Sequence, residues 1–223
     1  MAQKKQLQAV RDQIKSGKEL TKAENTLRGL LVDSASKKNS KIWLLLCDAL
    51  TKQYEQGNEK LYLKQKYDTA ALFTVTRKLY NVMSRFDSLD AQPDAKGRVR
   101  AKYRAKHADF LNSIRPNLFN GGSYFIHKKD YNTAFDYYSD YLLSANYPLF
   151  EGYDYMQKDA LIPHAAYWAM FCGYKLSDAD KIMQFKEFNK FISFDNEYCL
   201  TPSQDTIGDP FWTLMMIDGK NLF

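Results

Sequence analysis

Apolar residues recur along this chain at intervals of three and four, the spacing that places side chains on one face of an α-helix. The apolar stripes come in pairs separated by short polar breaks, which predicts antiparallel helix pairs followed by one last helix. The predicted pairs lie near residues 4–34, 41–87, 98–148 and 161–192, and the last helix at 202–223. We therefore predict an all-α chain that forms a single domain over residues 1–223.

The clearest pair lies at residues 118–148. Gly121 and Gly122 fall inside its first helix, where each Gly costs about 1 kcal/mol relative to Ala, so they predict close approach by a second helix. Asp130 is a good N-cap for that second helix. Ala134 is the small residue at which the two helices are expected to cross.

The alternation of large and small residues in this pair resembles the tetratricopeptide repeat, a helix-turn-helix unit of about 34 residues. The resemblance is carried by Leu118, Gly122, Phe125, Tyr131, Ala134, Tyr138 and Tyr141. The corresponding positions Ala23, Ala70, Ala134 and Ile182 are 47, 64 and 48 residues apart, farther than in a regular array. The resemblance therefore implies an irregular right-handed superhelix of antiparallel helix pairs.

Glycine and polar residues predict where the helices end. The first pair is expected to turn at Gly17, and residues 56–58 predict a break in the second pair. Residues 88–97 are the best linker candidate, and residues 98–113 are predicted to form an additional helix.

The net charge of +6 is unevenly distributed. Residues 1–66 carry +7, residues 67–150 carry +4 and residues 151–223 carry −5. A basic first part and an acidic last part indicate attraction between them or a polar partner surface. The densest basic run, residues 96–107, spreads its cations around a helix, which favours a solvated helix over a nucleic-acid-binding stripe.

Candidate catalytic and metal-ligating residues are few. They are the histidines His107, His127 and His164 and the cysteines Cys47, Cys172 and Cys199. None of them occurs at the spacing of a metal site or a disulfide framework. Phosphate-binding loops, nucleophile elbows and HExxH motifs are missing from the sequence. We therefore expect a protein that is not an enzyme and that uses no cofactor.

In the tetratricopeptide family, the first helix of each pair lines a concave groove. By register, the resemblance implies groove residues Phe119, Ser123, Ile126 and His127 in one pair and His164, Tyr167, Phe171 and Tyr174 in another. The implied function is non-catalytic binding of a protein or peptide partner, with aromatic side chains as anchors. Two alternatives stay open: the rings stack on a glycan, as in helical-repeat envelope proteins of gut bacteria, or they pack against the neighbouring pair.

The two ends of the sequence add further expectations. Ala2 and Gln3 resemble the start of an exported mature protein of Bacteroidetes-type bacteria, with Met1 added before them. This resemblance implies a periplasmic or envelope location, whereas a native Met1 implies the cytoplasm. The last predicted helix is very apolar, so we expect it to pack on the last pair or to form a homodimer. No apolar run approaches the roughly 20 residues needed to span a bilayer.

Overall fold

The computed structural model describes residues 2–191, and every regular element in this range is helical. The α-helices are α1 (Ala2–Ser16), α2 (Leu20–Leu30), α3 (Ser40–Tyr62), α4 (Thr69–Asp90), α5 (Arg104–Ile114), α6 (Pro116–His127), α7 (Tyr131–Ser144), α8 (Tyr155–Lys158), α9 (Ile162–Lys175) and α10 (Ala179–Gln184). Short 3₁₀ segments lie at Ser36–Lys38, Pro148–Tyr153 and Lys186–Phe191. The predicted all-α class is confirmed, and the predicted helix at 202–223 lies outside the described residues. Within residues 2–191, the helices are too short or too polar to cross a bilayer.

The chain forms two compact units, with the boundary between Asn117 and Leu118. The first unit contains α1–α5, and the second contains most of α6 together with α7–α10. The sequence predicts one pair over residues 98–148, but the boundary falls inside this range. Helix α5 therefore belongs to the first unit and α7 to the second. A single domain over the whole chain stays a prediction.

In the first unit, α3 is the central helix because α1, α2 and α4 all pack against it. Gly17 adopts a φ of 68° between α1 and α2, a left-handed conformation that glycine adopts without strain, and this confirms the predicted turn. The apolar side chains that α2 and α3 bury include Leu20, Ala23, Leu27, Leu46, Cys47 and Leu50. Their spacing of three and four is the stripe that the sequence showed.

The predicted break at residues 56–58 is wrong, because α3 continues through them to Tyr62. A methyl group on Gly57 would lie 2.6 Å from the ring of Tyr67. This glycine therefore admits the ring of a residue beyond the end of α3 and does not end the helix. One residue earlier, the Gln56 amide donates a hydrogen bond of 2.9 Å to the carbonyl of Gly17 and fixes α3 to the turn between α1 and α2.

The additional helix α5 begins at Arg104, six residues later than predicted. The preceding loop is held by Asp94, whose carboxylate accepts hydrogen bonds from the backbone and the guanidinium of Arg98. Gly97 and Ala101 adopt φ values of 74° and 38°, which no α-helix accommodates. The ion pair and these two conformations therefore keep residues 98–103 out of the helix.

In the second unit, the close approach predicted from the glycines is confirmed. A methyl group on Gly121 would lie 2.6 Å from the Tyr137 ring, and one on Gly122 would lie 2.5 Å from the Tyr138 ring. Asp130 caps α7 as predicted, since its carboxylate accepts a hydrogen bond from the backbone N–H of Thr133. The glycines thus let two tyrosines of α7 lie directly against α6.

Helix α9 packs against both α7 and α10. The last predicted pair extended to residue 192, but α10 ends at Gln184. Phe185 leaves the helical conformation with a φ of −116° and is buried, with its ring 5.9 Å from that of Phe135. The helix therefore ends at a residue whose ring is buried near α7.

Candidate functional site

Helix α9 has two differently built sides. One side is made of small buried residues, which let neighbouring helices come close: Ala165, Ala166, Ala169, Cys172 and Gly173. At Gly173, a methyl group would lie 2.8 Å from the backbone nitrogen of Ile182 in α10. The small side of α9 is thus committed to helix packing, and binding groups have to come from its other side.

The other side of α9 carries three partly buried aromatic residues, Trp168, Phe171 and Tyr174, which pack over buried Tyr167 and Met170. The Trp168 ring meets the Phe171 ring edge to face, with centroids 5.5 Å apart. We call Trp168, Phe171, Tyr174 and the adjacent Lys175 the aromatic surface. Its members follow each other at helical spacing, so a rigid helix holds them side by side.

Lys175 gives the aromatic surface a positive charge. Its ammonium group lies 5.1 Å from the ring centroid of Phe171 and 5.2 Å from that of Tyr174. Both distances are within the range of cation–π attraction, which favours a cation over the electron-rich ring face. The lysine therefore covers part of these two rings.

Of the four residues predicted on α9, the structure brings Phe171 and Tyr174 into the aromatic surface. His164 is partly buried and lies one turn before Trp168 on the same side of the helix. Tyr167 is only 7% exposed and belongs to the core beneath these residues. The sequence predicts Tyr167 as a binding residue, but Trp168 is the residue that lies on the aromatic surface.

The four residues predicted on α6 do not form one cluster, because they differ in burial and in the residues that they contact. Phe119 is partly buried and meets the ring of Tyr138 edge to face at 5.3 Å. Ser123 is hydrogen-bonded to the same tyrosine, with 3.0 Å between the two hydroxyl oxygens. Ile126 is partly buried and His127 is exposed at the end of the helix. Phe119 and Ser123 thus serve the packing of α6 on α7.

The two predicted sets contact α7 through different residues. The α6 set meets Tyr138, whereas Phe171 of the α9 set meets the ring of Tyr131 edge to face at 6.1 Å. A common groove for both sets stays a prediction. The α9 set alone is a defined cluster, and we treat it as the candidate site.

A buried carboxylate that sequence reasoning missed lies in the first unit. Glu24 of α2 accepts hydrogen bonds from Arg28 Nε at 2.8 Å and from Gln53 Nε2 of α3 at 3.0 Å, and it pairs with Lys78 Nζ of α4 at 3.0 Å. Burial by itself would raise the pKa of Glu24, but the bonds from Gln53, Arg28 and Lys78 lower it below its usual value. The group stays ionised and joins three helices, which is a structural role.

A second buried ion pair fixes α5 to α4. Arg104 donates two hydrogen bonds of 2.8 Å to the two carboxylate oxygens of Asp87. His107 is buried nearby, with its ring stacked on Tyr103, and its Nδ1 has no hydrogen-bond partner. Burial lowers the pKa of His107, and Lys106 lowers it further. The histidine is therefore held neutral in a packed environment.

The cysteines of the described residues, Cys47 and Cys172, are buried. Burial raises the pKa of Cys172 to about 12 and raises that of Cys47 as well, so both thiols are poor nucleophiles. Among residues 2–191, no group of three or more His, Cys, Asp or Glu side chains is placed to hold a metal ion. The aromatic surface can bind apolar or planar groups, and its residues carry no assembled acid, base or nucleophile. No protein-family model matches the chain, and no curated protein or solved structure matches it.

Proposed function

We propose that this protein is a non-catalytic scaffold that binds a peptide segment of a partner protein. The observation that carries the proposal is the aromatic surface on α9, where three partly buried rings lie side by side on a rigid helix. Tyr and Trp are the residues most often found as binding hot spots, because they offer a large contact area at a small entropic cost. A groove of a tetratricopeptide-like superhelix is the architecture we propose around them.

The expected ligand is a peptide with an apolar or aromatic side chain that packs on the exposed parts of the rings. Lys175 lies beside the rings, so an acidic residue next to that anchor would gain an additional attraction. Removing one aromatic hot spot costs about 2 kcal/mol, or roughly a 30-fold weaker affinity.

The test is a selection from a random peptide library displayed on phage, with the full chain as bait. Affinities of the enriched peptides are then measured for wild type, Phe171→Ala, Tyr174→Ala and Leu143→Ser. Leu143 is a matched control because it is an apolar residue of the same unit that is 46% exposed outside the aromatic surface. Tyr167 is not used, since truncating a core residue would destabilise the unit.

We expect peptides of convergent sequence whose affinity falls by roughly 10- to 30-fold in both aromatic variants and stays unchanged in Leu143→Ser. A library that yields no convergent sequence would refute peptide binding. Convergent peptides that bind both aromatic variants as tightly as wild type would refute the assignment to α9.

A glycan is the second candidate ligand, and the partly exposed ring of Trp168 favours it, because sugars stack on aromatic faces. The ammonium of Lys175 covers part of the Phe171 and Tyr174 rings, so a sugar would stack on the Trp168 ring. A glycan array separates the two: a signal that disappears in Trp168→Ala supports the glycan, and a silent array leaves the peptide as the ligand.

A further inference from the structure

The end of α3 and the turn that follows it, residues 62–66, are exposed. Gln56 is the residue that holds α3 to the α1–α2 turn, and the helix continues six residues further to Tyr62. Six residues of α-helix correspond to about 9 Å. The chain then turns at Lys64, with a φ of 55°, and Asp68 caps α4 by accepting a hydrogen bond from the Ala70 N–H. We call residues 60–66 the α3–α4 tip.

The tip exposes large apolar side chains among cations. Tyr62 is 84% exposed and Leu63 is 54% exposed. Lys60, Lys64 and Lys66 are exposed around them, and the tip itself contains no acidic residue. Lysines suit the negative end of a helix dipole, which accounts for their charge. The helix dipole does not explain why Tyr62 and Leu63 are exposed to solvent.

The acidic residues that flank the tip, Glu59 and Asp68, do not neutralise its positive charge. Glu59 is exposed one turn before Leu63, and the Asp68 carboxylate is occupied by its N-cap hydrogen bond. The whole first unit is strongly basic, since residues 1–117 contain 24 Lys and Arg against 12 Asp and Glu, a net charge of +12. Residues 118–223 carry −6. Electrostatic attraction to an anionic surface is therefore a property of the first unit.

We propose that the α3–α4 tip docks on an anionic phospholipid surface. Tyr62 and Leu63 enter the interface between head groups and acyl chains, where aromatic and apolar side chains are stabilised, and the three lysines pair with the lipid phosphates. The tip is an exposed turn between two helices, with residues 62–66 all exposed, so it has no walls to enclose a peptide. Lipid head groups, in contrast, can move apart around an exposed side chain. Charge complementarity and this shape together favour a membrane over an acidic protein.

The experiment is sedimentation of the full chain with vesicles of phosphatidylcholine alone and with equimolar phosphatidylcholine and phosphatidylglycerol. The variants are Tyr62→Ser/Leu63→Ser and Lys60→Gln/Lys64→Gln/Lys66→Gln. Val32→Ser is the matched control, because Val32 is 76% exposed and lies in the segment that precedes α3, at the opposite end of this helix. All the substituted residues are exposed, so circular dichroism is expected to show unchanged folding.

We expect binding to the mixed vesicles only, a loss of at least 10-fold in Tyr62→Ser/Leu63→Ser, and a loss of about fivefold for each lysine removed. Val32→Ser should bind like wild type. In a second measurement, the emission of Tyr62→Trp should shift to the blue on the mixed vesicles, and that of Val32→Trp should not.

Three results would overturn the proposal. The first is no binding to the mixed vesicles, and the second is binding that Tyr62→Ser/Leu63→Ser leaves unchanged. The third is binding of polyglutamate that displaces the chain from the vesicles and requires Tyr62 and Leu63, because the tip would then be a site for an acidic protein. None of these results bears on the peptide selection with α9, since the two tests use different residues and different units.

Discussion

Replacing Gly122 with Ala tests whether close packing of α7 on α6 holds the second unit together. The new methyl group would lie 2.5, 2.6 and 2.8 Å from three atoms of the Tyr138 ring. These atoms are at the far end of the side chain, but the ring cannot move freely: Tyr138 is fully buried, its hydroxyl is bonded to Ser123, and Phe119 lies against it. The methyl group therefore has to displace packed neighbours.

Two terms of opposite sign set the size of the effect. Overpacking a core costs about 1–3 kcal/mol, and replacing a helical Gly by Ala gains about 1 kcal/mol. Because the ring is held on all sides, we expect the upper part of the first range and a net loss of about 1–2 kcal/mol. Gly29→Ala in α2 is the control, since a methyl group there meets nothing within 4 Å, and it should stabilise by up to about 1 kcal/mol.

The assay is urea unfolding followed by circular dichroism, in a double-mutant cycle with Tyr138→Leu. A leucine at position 138 does not reach as far as the ring, so it makes room for the methyl group. Gly122→Ala should then cost less in the Tyr138→Leu background than in wild type. Equal costs in the two backgrounds, or a Gly122→Ala variant as stable as Gly29→Ala, would show that the ring contact does not explain this glycine.

Three further predictions concern buried polar groups. Glu24→Gln should destabilise the protein by about 2 kcal/mol in urea unfolding, because two cations lose their charged partner at a buried site. Glu19→Gln, at an exposed pair, should leave stability nearly unchanged. The pKa of His107 is lower in the folded protein than in the unfolded chain, so its contribution to stability is retained above the usual histidine pKa of about 6.5 and is lost as the pH falls below that value and through the lower folded pKa. His107→Phe should flatten this slope in unfolding curves measured on both sides of that pH. In a Cys199→Ala background, the two buried thiols should react with maleimide much more slowly in native protein than in urea, and equal rates would contradict the burial that raises the pKa of Cys172 to about 12.

Local signals in the sequence were sufficient to place the turn after α1 and the start of α7. The Asp130 cap depends only on a residue three positions away, and the Gly17 turn depends only on a conformation that glycine adopts readily. Gly57 and Gly122 show that the role of a helical glycine cannot be predicted from its neighbours in the sequence alone. Both are helical glycines that admit a tyrosine ring, but the partner of Gly57 belongs to the turn after α3, so a break was the simpler interpretation.

The register of α9 could not be read from the sequence, because this helix is apolar on every side. Tyr167 and Trp168 are neighbours that point about 100° apart, and only the packing of α7 and α10 decides which of them is buried. Trp168 was nevertheless detectable, since it lies four residues after His164 and three before Phe171. The Glu24–Arg28 pair is a local i,i+4 signal, but the burial of Glu24 depends on Gln53 and Lys78, which are 29 and 54 residues away.

Salt should separate the two roles of charge in the first unit. The carboxylates of Glu24 and Asp87 are buried against their cations, so added salt screens these pairs weakly. The lysines of the α3–α4 tip are exposed, and their attraction to lipid phosphates is screened as the Debye length falls from about 10 Å at 0.1 M salt to about 3 Å at 1 M. Raising salt should therefore release the chain from anionic vesicles without lowering its melting temperature. A melting temperature that falls in parallel with vesicle binding would mean that the surface charges also hold the fold, and that binding cannot be assigned to the tip alone.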